Sequence, residues 1–240
     1  MSRLDFFLWV AFPYLCLASF VLGHVWRYRH DQYGWTTRST QLFERRLLMV
    51  GSLLFHFGIL AAIGGHVLGI LVPSSWMESI GISDSMYHWI AAVAGGLAGA
   101  AIVLGFGILA FRRIRVSRVR ASTTRSDLVL YPVLAATVLF GMIATAWGTW
   151  VDRYAYREVV SPWFRGIFLL QPHQELMANA SFIFHAHAVT AWLLLAIWPY
   201  TRLVHAWSIP IAYVTRAPIV YRSRAVPAVS RGQSLGPGSP

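Results

Sequence analysis

Five long apolar runs, separated by short polar segments, constrain the fold of this chain more than any other feature. We place them near residues 4–25, 47–72, 87–110, 128–150 and 180–204. Each run reaches the roughly 20 residues that an α-helix needs to cross a bilayer. Inside lipid, backbone N–H and C=O groups must be bonded within the protein, which only helices and closed barrels achieve. The sequence therefore predicts an all-α integral membrane bundle of five transmembrane helices.

The composition agrees with a membrane protein and argues against nucleic-acid binding and cysteine-based metal sites. Charged residues make up 12% of the chain, whereas a soluble domain has about 25%. The net charge is +11 and there is no lysine, but the arginines lie between the apolar runs and indicate membrane topology, not nucleic-acid binding. A single cysteine, Cys16, excludes an internal disulfide, a Cys-x-x-Cys-His haem attachment and cysteine-based zinc or iron–sulfur sites.

The distribution of arginine predicts the orientation of the bundle. Segment 26–46 carries five arginines and segment 111–127 carries six, whereas the connection at 73–86 carries none. The positive-inside rule then places the N-terminus outside and the C-terminus in the cytoplasm. We expect residues 1–224 to form the membrane domain and the Pro/Gly/Ser-rich residues 225–240 to form a disordered cytoplasmic tail.

No Asp or Glu falls well inside any of the five runs, and the ionisable side chains at membrane depth are histidines. This pattern argues against the carboxylate relay of an ion pump and marks the histidines as functional candidates. His56 and His66 lie on the second run, and His185 and His187 on the fifth. In a straight helix His205 would share a face with His187, five turns earlier, while His185 would lie about 160° away. We therefore expect His185 to be a packing residue.

The second and fifth helices run antiparallel in this topology, which pairs His56 with His205 and His66 with His187. The separations along the helix axes are about 15 Å and about 27 Å, so the pairs do not align in straight helices. Pro199, just before His205, could bend the fifth helix. Two separate imidazole pairs suit bis-histidine haem iron better than zinc, which favours four ligands in one cluster. Interhelical hydrogen bonding of the histidines is the alternative interpretation.

Glycine is frequent on the second helix near these histidines. It suits either a large flat ligand lying against the helix or close packing of a neighbouring helix, and the sequence leaves both open. The glycines are Gly51, Gly58, Gly64, Gly65 and Gly69. Iron bound by two histidines has no open coordination position, so such haems would carry electrons and would not bind oxygen.

Four stretches resemble the gamma subunits of membrane-bound respiratory nitrate reductases. They are RRLLMVGSLLFHFGILAAIGGH, SRVRASTTRSDL, FIFHAHAVTAWLLLAIWP and TRLVHAWSIPIAYVTR, and the resemblance extends over roughly residues 1–224. It implies a quinol-oxidising subunit of the bacterial inner (cytoplasmic) membrane with two haems b. By the same resemblance, His56 and His205 would hold the cytoplasmic-side haem, and His66 and His187 the outer haem.

The resemblance also implies a substrate and partners. Electrons from quinol, with menaquinol as our expectation, would pass through both haems to an iron–sulfur beta subunit and a molybdenum alpha subunit that reduces nitrate, and the quinol protons would be released outside. Nitrate reduction would belong to the partner, because this chain has no cysteine cluster and no phosphate loop. Quinol would bind near the outer haem, with Gly65, His66 and His88 as candidates. His88 equally suits a solvated helix end, and the lysine that the family can have near the start of the third helix is missing.

Two other classes remain open from the residues alone. A di-haem b membrane anchor of another quinone-linked complex, similar to heterodisulfide or sulfite reductases, would have the same helices and different soluble partners. A haem-free transporter or structural protein would use the histidines for hydrogen bonding.

Anionic haem propionates would favour arginines at the inner end. The available ones are Arg112, Arg113, Arg115, Arg118 and Arg120.

Overall fold

The computed structural model describes residues 2–150 and 156–208, and within them the regular secondary structure is entirely helical. Five helices are long and apolar enough to cross a membrane, which confirms the predicted all-α bundle. In chain order the helices are α1 (Arg3–His30), α2 (Arg46–Leu71), α3 (Ser74–Ser79), α4 (Asp84–Arg115), α5 (Ser117–Ala121), α6 (Arg125–Trp150), α7 (Tyr156–Phe168), α8 (Gln174–Ala178) and α9 (Phe182–Ile197). The long ones are α1, α2, α4, α6 and α9, and the tail predicted at 225–240 lies outside the described residues.

Helix α4 is longer than its apolar run because its polar ends are well capped. The Ser83 hydroxyl accepts a hydrogen bond from the Met86 N–H at 3.3 Å, and Asp84 lies in the first turn. Three arginines occupy the last turn. An acidic N-terminus and a basic C-terminus both favour the helix dipole, so the helix continues for 32 residues, beyond the predicted 87–110.

The fifth membrane helix does not extend over the predicted 180–204, and that extent was wrong. Helix α9 ends at Ile197, a 3-10 turn follows at Trp198–Tyr200, and Thr201 is extended with φ −119° and ψ −179°. A second 3-10 segment, Arg202–Trp207, carries His205. Pro199 lacks a backbone N–H and cannot continue an α-helix, so the shared helical face of His187 and His205 does not exist.

The membrane helices pack so that α2 and α9 are held apart. Helix α2 packs on α4, α6 lies against both α4 and α9, and α9 packs on α1. A Cβ at Gly105 of α4 would lie 2.5 Å from the Phe55 nitrogen, and one at Gly58 of α2 would lie 2.9 Å from the Ala98 carbonyl. Gly58 therefore serves close helix packing, as does Gly51, whose Cβ would meet Ile108. Gly64 and Gly65 face open space.

The connections 31–45 and 116–124 define what we call the arginine-rich end of the bundle. Arg112, only 3% exposed, donates to the Thr40 hydroxyl and carbonyl at 2.8 Å and to the Glu44 carboxylate at 2.7 Å. Desolvation opposes the charge of Glu44, but hydrogen bonds from the Leu47 and Leu48 N–H groups and from Arg112 outweigh it and lower its pKa. Arg112 therefore fixes the connection between α1 and α2.

Helix α7 covers the opposite end, which we call the α7 end. The Trp163 indole N–H donates to the Trp9 carbonyl at 2.9 Å, within a π-helical turn of α1. Ser161 and Arg165 donate, at 2.9 and 2.7 Å, to carbonyls in the π-helical turn Val67–Leu71 of α2. In an α-helix the Trp9 carbonyl would pair with the N–H of residue 13, but Pro13 has none. The Gly69 and Ile70 carbonyls lie in the last turn of α2, where no intrahelical donor remains. Helix α7 supplies donors for all three carbonyls.

Candidate functional site

The structure brings the histidines together in the two predicted pairs. The ring centres of His56 and His205 are 6.0 Å apart, with planes inclined at 72°. Those of His66 and His187 are also 6.0 Å apart, inclined at 39°. The first pair lies toward the arginine-rich end and the second toward the α7 end, so the pairs occupy different depths. The break after Ile197 allows His205 to face His56.

Each of these four rings uses Nδ1 to bond a backbone carbonyl. A carbonyl oxygen only accepts, so Nδ1 carries the proton and Nε2 keeps its lone pair. That is the neutral form in which histidine binds a metal, with its other nitrogen held in place by a backbone oxygen. The acceptors are the carbonyls of Ser52 for His56 at 2.7 Å, Ala62 for His66 at 2.7 Å, Thr137 for His187 at 3.1 Å and Arg202 for His205 at 2.5 Å.

The spacing of each pair fits one metal ion between the two rings. A metal–imidazole bond is about 2.0–2.1 Å long and a ring nitrogen lies about 1.2 Å from the ring centre, so two rings on one metal have centres about 6.4 Å apart. The observed 6.0 Å is close to this value. Across the described ranges no three His, Cys, Asp or Glu side chains converge on a metal position. The metal would therefore have to bring its remaining ligands, as the iron of haem does.

The His187 ring lies directly against the backbone of α6. A Cβ at Gly141 would lie 2.8 Å from the His187 Cε1 atom, so only glycine leaves room for the ring. His185, two residues earlier, faces elsewhere: its ring centre is 4.6 Å from that of Trp9, and its Nε2 donates to the Met177 carbonyl at 2.7 Å. It is a packing residue, as its helical phase suggested.

His205 is positioned by an ion pair between its 3-10 segment and α6. The Arg202 guanidinium donates to both Asp127 oxygens, at 2.7 and 2.6 Å, and Asp127 is 1% exposed. Burial opposes the charge of Arg202, but the hydrogen bond to Asp127 outweighs it and raises the Arg202 pKa. The Arg202 carbonyl in turn accepts from His205, so the ion pair fixes the ring.

The structure places the candidates for quinol binding in different surroundings. Gly65 is exposed next to His66, with open space around it. The His88 ring contacts the Trp89 ring, with centres 6.0 Å apart. The preceding residue, Tyr87, is the one that α4 turns toward α2: it is 8% exposed, and a Cβ at Gly69 would lie 2.9 Å from its hydroxyl.

Tyr156 completes a pair of hydroxyls that the sequence analysis missed. It donates to Tyr87 across 3.5 Å, and its hydroxyl lies 3.0 Å from a Cβ placed at Gly69. Burial, with a smaller contribution from Tyr87, raises the pKa of Tyr156, which therefore remains a neutral hydroxyl. Helical phase could have identified Tyr87, which lies about three turns before Ala98 on the α2-facing side of α4. Nothing in the sequence places Tyr156 beside it.

Comparison with known proteins gives a consistent result. Residues 5–224 match the family described as nitrate reductase gamma subunit. The nitrate reductase gamma chain of Bacillus subtilis is 43% identical over 218 residues, covering 91% of this chain and 98% of its own length. The respiratory nitrate reductase 2 gamma chain of Escherichia coli is 32% identical over 225 residues, covering 93% and 99%. The nitrate reductase-like protein NarX of Mycobacterium tuberculosis is 44% identical over 230 residues, 95% of this chain, which spans 35% of the length of NarX.

Proposed function

Because this chain belongs to the nitrate reductase gamma subunit family, we propose that it is the quinol-oxidising membrane subunit of a respiratory nitrate reductase. Membership makes it a multi-pass membrane subunit of an oxidoreductase complex. The observation that carries the finer proposal is the presence of two facing histidine pairs at different depths, each spaced for one metal ion.

His56 and His205 would hold one haem b at the arginine-rich end, and His66 and His187 a second one toward the α7 end. Bound there, haem iron would supply one-electron transfer between quinol and the partner subunits. The chain keeps Nε2 of each ring unprotonated through the Nδ1–carbonyl bonds. The positive-inside rule makes the arginine-rich end cytoplasmic, and we propose that the iron–sulfur beta and molybdenum alpha subunits dock there.

Quinol would bind on the other side of the membrane, near His66. Its oxidation to quinone releases two protons and two electrons, so the site needs polar groups close to the quinol oxygens. Gly65 leaves space next to His66, and the Tyr87 and Tyr156 hydroxyls lie one turn further along α2. Tyr87 suits a hydrogen bond to a quinol oxygen, with His88 as the alternative titratable group.

The haem proposal is tested by a pyridine haemochrome count and a reduced-minus-oxidised spectrum of the purified protein. We expect two haems b per chain. His66→Ala or His187→Ala should remove the outer haem and block electron entry from a menaquinol analogue. His56→Ala or His205→Ala should remove the inner haem while leaving the outer one reducible.

His185→Gln is the matched control, because it lies on α9 next to His187 and its amide can still donate to the Met177 carbonyl. It should keep both haems. If the wild-type protein contained no haem despite adequate haem supply, the four histidines would serve only helix packing. Ligand variants that kept two intact haems would also contradict the assignment.

The quinol site is tested by comparing Tyr87→Phe with His88→Gln. Loss of one hydrogen bond costs about 0.5–1.5 kcal/mol, so Tyr87→Phe should raise the KM for a menaquinol analogue roughly two- to tenfold. Its dithionite-reduced spectrum should match the wild type. His88→Gln should leave the KM unchanged. The reverse pattern would assign the polar role to His88.

A further inference from the structure

Arg157, in the first turn of α7, is a buried cation that the proposed function has not yet used. Its side chain is 10% exposed. The guanidinium carbon lies 4.1 Å above the centre of the Tyr87 ring, and Nη1 donates to an Asp84 oxygen at 3.3 Å. Asp84 is 67% exposed, so water weakens this ion pair and leaves much of the arginine charge uncompensated.

One edge of the guanidinium has no protein partner. Both Nε and Nη2 are buried and find no hydrogen-bond acceptor anywhere in residues 2–150 and 156–208. These two nitrogens form the edge of arginine that binds a carboxylate through two parallel hydrogen bonds. A buried charged donor without an acceptor is strongly unfavourable, so the edge calls for an anionic ligand with two oxygens.

Tyr87 links Arg157 to the part of α2 that carries His66. Tyr87, which supports the guanidinium, and Tyr156 both place their hydroxyls against Gly69, three residues beyond His66 on α2. A haem carries two propionate carboxylates, which inside a membrane must reach a cation or water. The α7 end is the nearer surface for a haem on His66 and His187, and Arg157 is a buried cation on that route.

We propose that the Nε–Nη2 edge of Arg157 binds a propionate carboxylate of the haem held by His66 and His187, and that Arg157 is a positioning residue for this haem. The inference rests on the two-haem proposal above. A quinol is neutral and offers one oxygen at a time, whereas a carboxylate offers the two that the edge requires. A cation at this position favours the reduced haem, because reduction removes one positive charge from the iron.

The test is a potentiometric titration of the complex in its native membranes, with the outer haem identified as the one missing from His66→Ala. In Arg157→Gln the midpoint potential of the outer haem should fall, while both haems remain and the inner midpoint is unchanged. Arg3→Gln is the matched control, because Arg3 is an exposed arginine near the α7 end, and it should leave both midpoints unchanged.

Arg157→Lys keeps the positive charge but removes the two parallel N–H donors of the Nε–Nη2 edge. We expect an outer midpoint near the wild-type value but a shifted carboxylate band in redox-induced infrared difference spectra of haem with 13C-labelled propionates. An unshifted band would overturn the proposal, and this variant decides the matter if Arg157→Gln loses the outer haem.

Three results for Arg157→Gln with an unchanged outer midpoint would also overturn the inference. A raised KM for a menaquinol analogue would assign the edge to quinol, loss of a co-purifying phospholipid would assign it to a lipid phosphate, and no change at all would leave it without a ligand. If the wild type contains no haem that is missing from His66→Ala, the proposed function itself fails.

Discussion

At the scale of single residues, the position of His187 depends on Gly141. Alanine there would place a methyl group 2.8 Å from the His187 Cε1 atom, closer than nonbonded carbon atoms approach. We expect Gly141→Ala to displace the ring and reduce the haem content from the proposed two per chain toward about one. The measurement is a haemochrome count together with the absorption spectrum of the remaining haem.

Gly148→Ala is the control, about two turns further along the same face of α6. Its Cβ would lie 3.8 Å from the Phe184 ring, an ordinary contact, so it should keep both haems. A Gly141→Ala protein with two haems and an unshifted spectrum would show that the ring can move without losing its ligand.

Three of the four paired histidines, His56, His66 and His187, were predictable because ionisable residues are rare at membrane depth, and the antiparallel topology suggested His205 as the partner of His56. Their hydrogen-bond acceptors were predictable only where they are local. The His56 and His66 acceptors lie one turn earlier on the same helix, whereas the His187 acceptor, Thr137, is 50 residues away on α6. The tyrosine pair and Arg157 depend on packing between three elements, which no spacing along the chain encodes.

At the scale of elements, helix α7 is held by donors that meet the π-helical turns of α1 and α2. Trp163 is 1% exposed and bonds the Trp9 carbonyl. Trp163→Phe leaves that carbonyl without its donor, and an unsatisfied buried group costs about 1–3 kcal/mol. We expect a corresponding loss of stability in reversible unfolding measured in detergent micelles.

Trp76→Phe provides the comparison for this loss. Trp76 is 67% exposed, and an exposed substitution usually changes stability by less than about 0.5 kcal/mol. Equal effects of the two variants would mean that the indole hydrogen bond contributes nothing specific.

Hydropathy predicted the membrane helices and missed the elements that shape the site. Helix α7 is short and amphipathic, so it does not appear as an apolar run. The break in α9 falls inside a run that stays largely apolar through Trp207, so hydropathy extended the helix across it. Pro199 was the local sequence signal for the helix end, because proline ends helices. Only the structure shows that the break turns His205 toward His56.

At the scale of the whole molecule, the order α2–α4–α6–α9–α1 separates α2 from α9, while the α2 histidines face His187 of α9 and His205 of the following 3-10 segment across 6.0 Å. The number of helices followed from the sequence, since five apolar runs of sufficient length can only be helices in lipid. Their packing order did not, because nearly every face of these helices is apolar and periodicity does not choose a neighbour.

The orientation of the bundle is the remaining prediction at this scale, and the proposed direction of electron flow depends on it. The arginine-rich end should be cytoplasmic, so that quinol protons are released on the other side. Single cysteines at Ser79, in the connection after α2, and at Ser117, in the arginine-rich connection after α4, test this in a Cys16→Ala background. Both serines are exposed. A membrane-impermeant maleimide should label Ser79→Cys in intact cells and Ser117→Cys only after permeabilisation. The reverse pattern would place the His66–His187 pair nearer the cytoplasm and separate quinol oxidation from proton release outside.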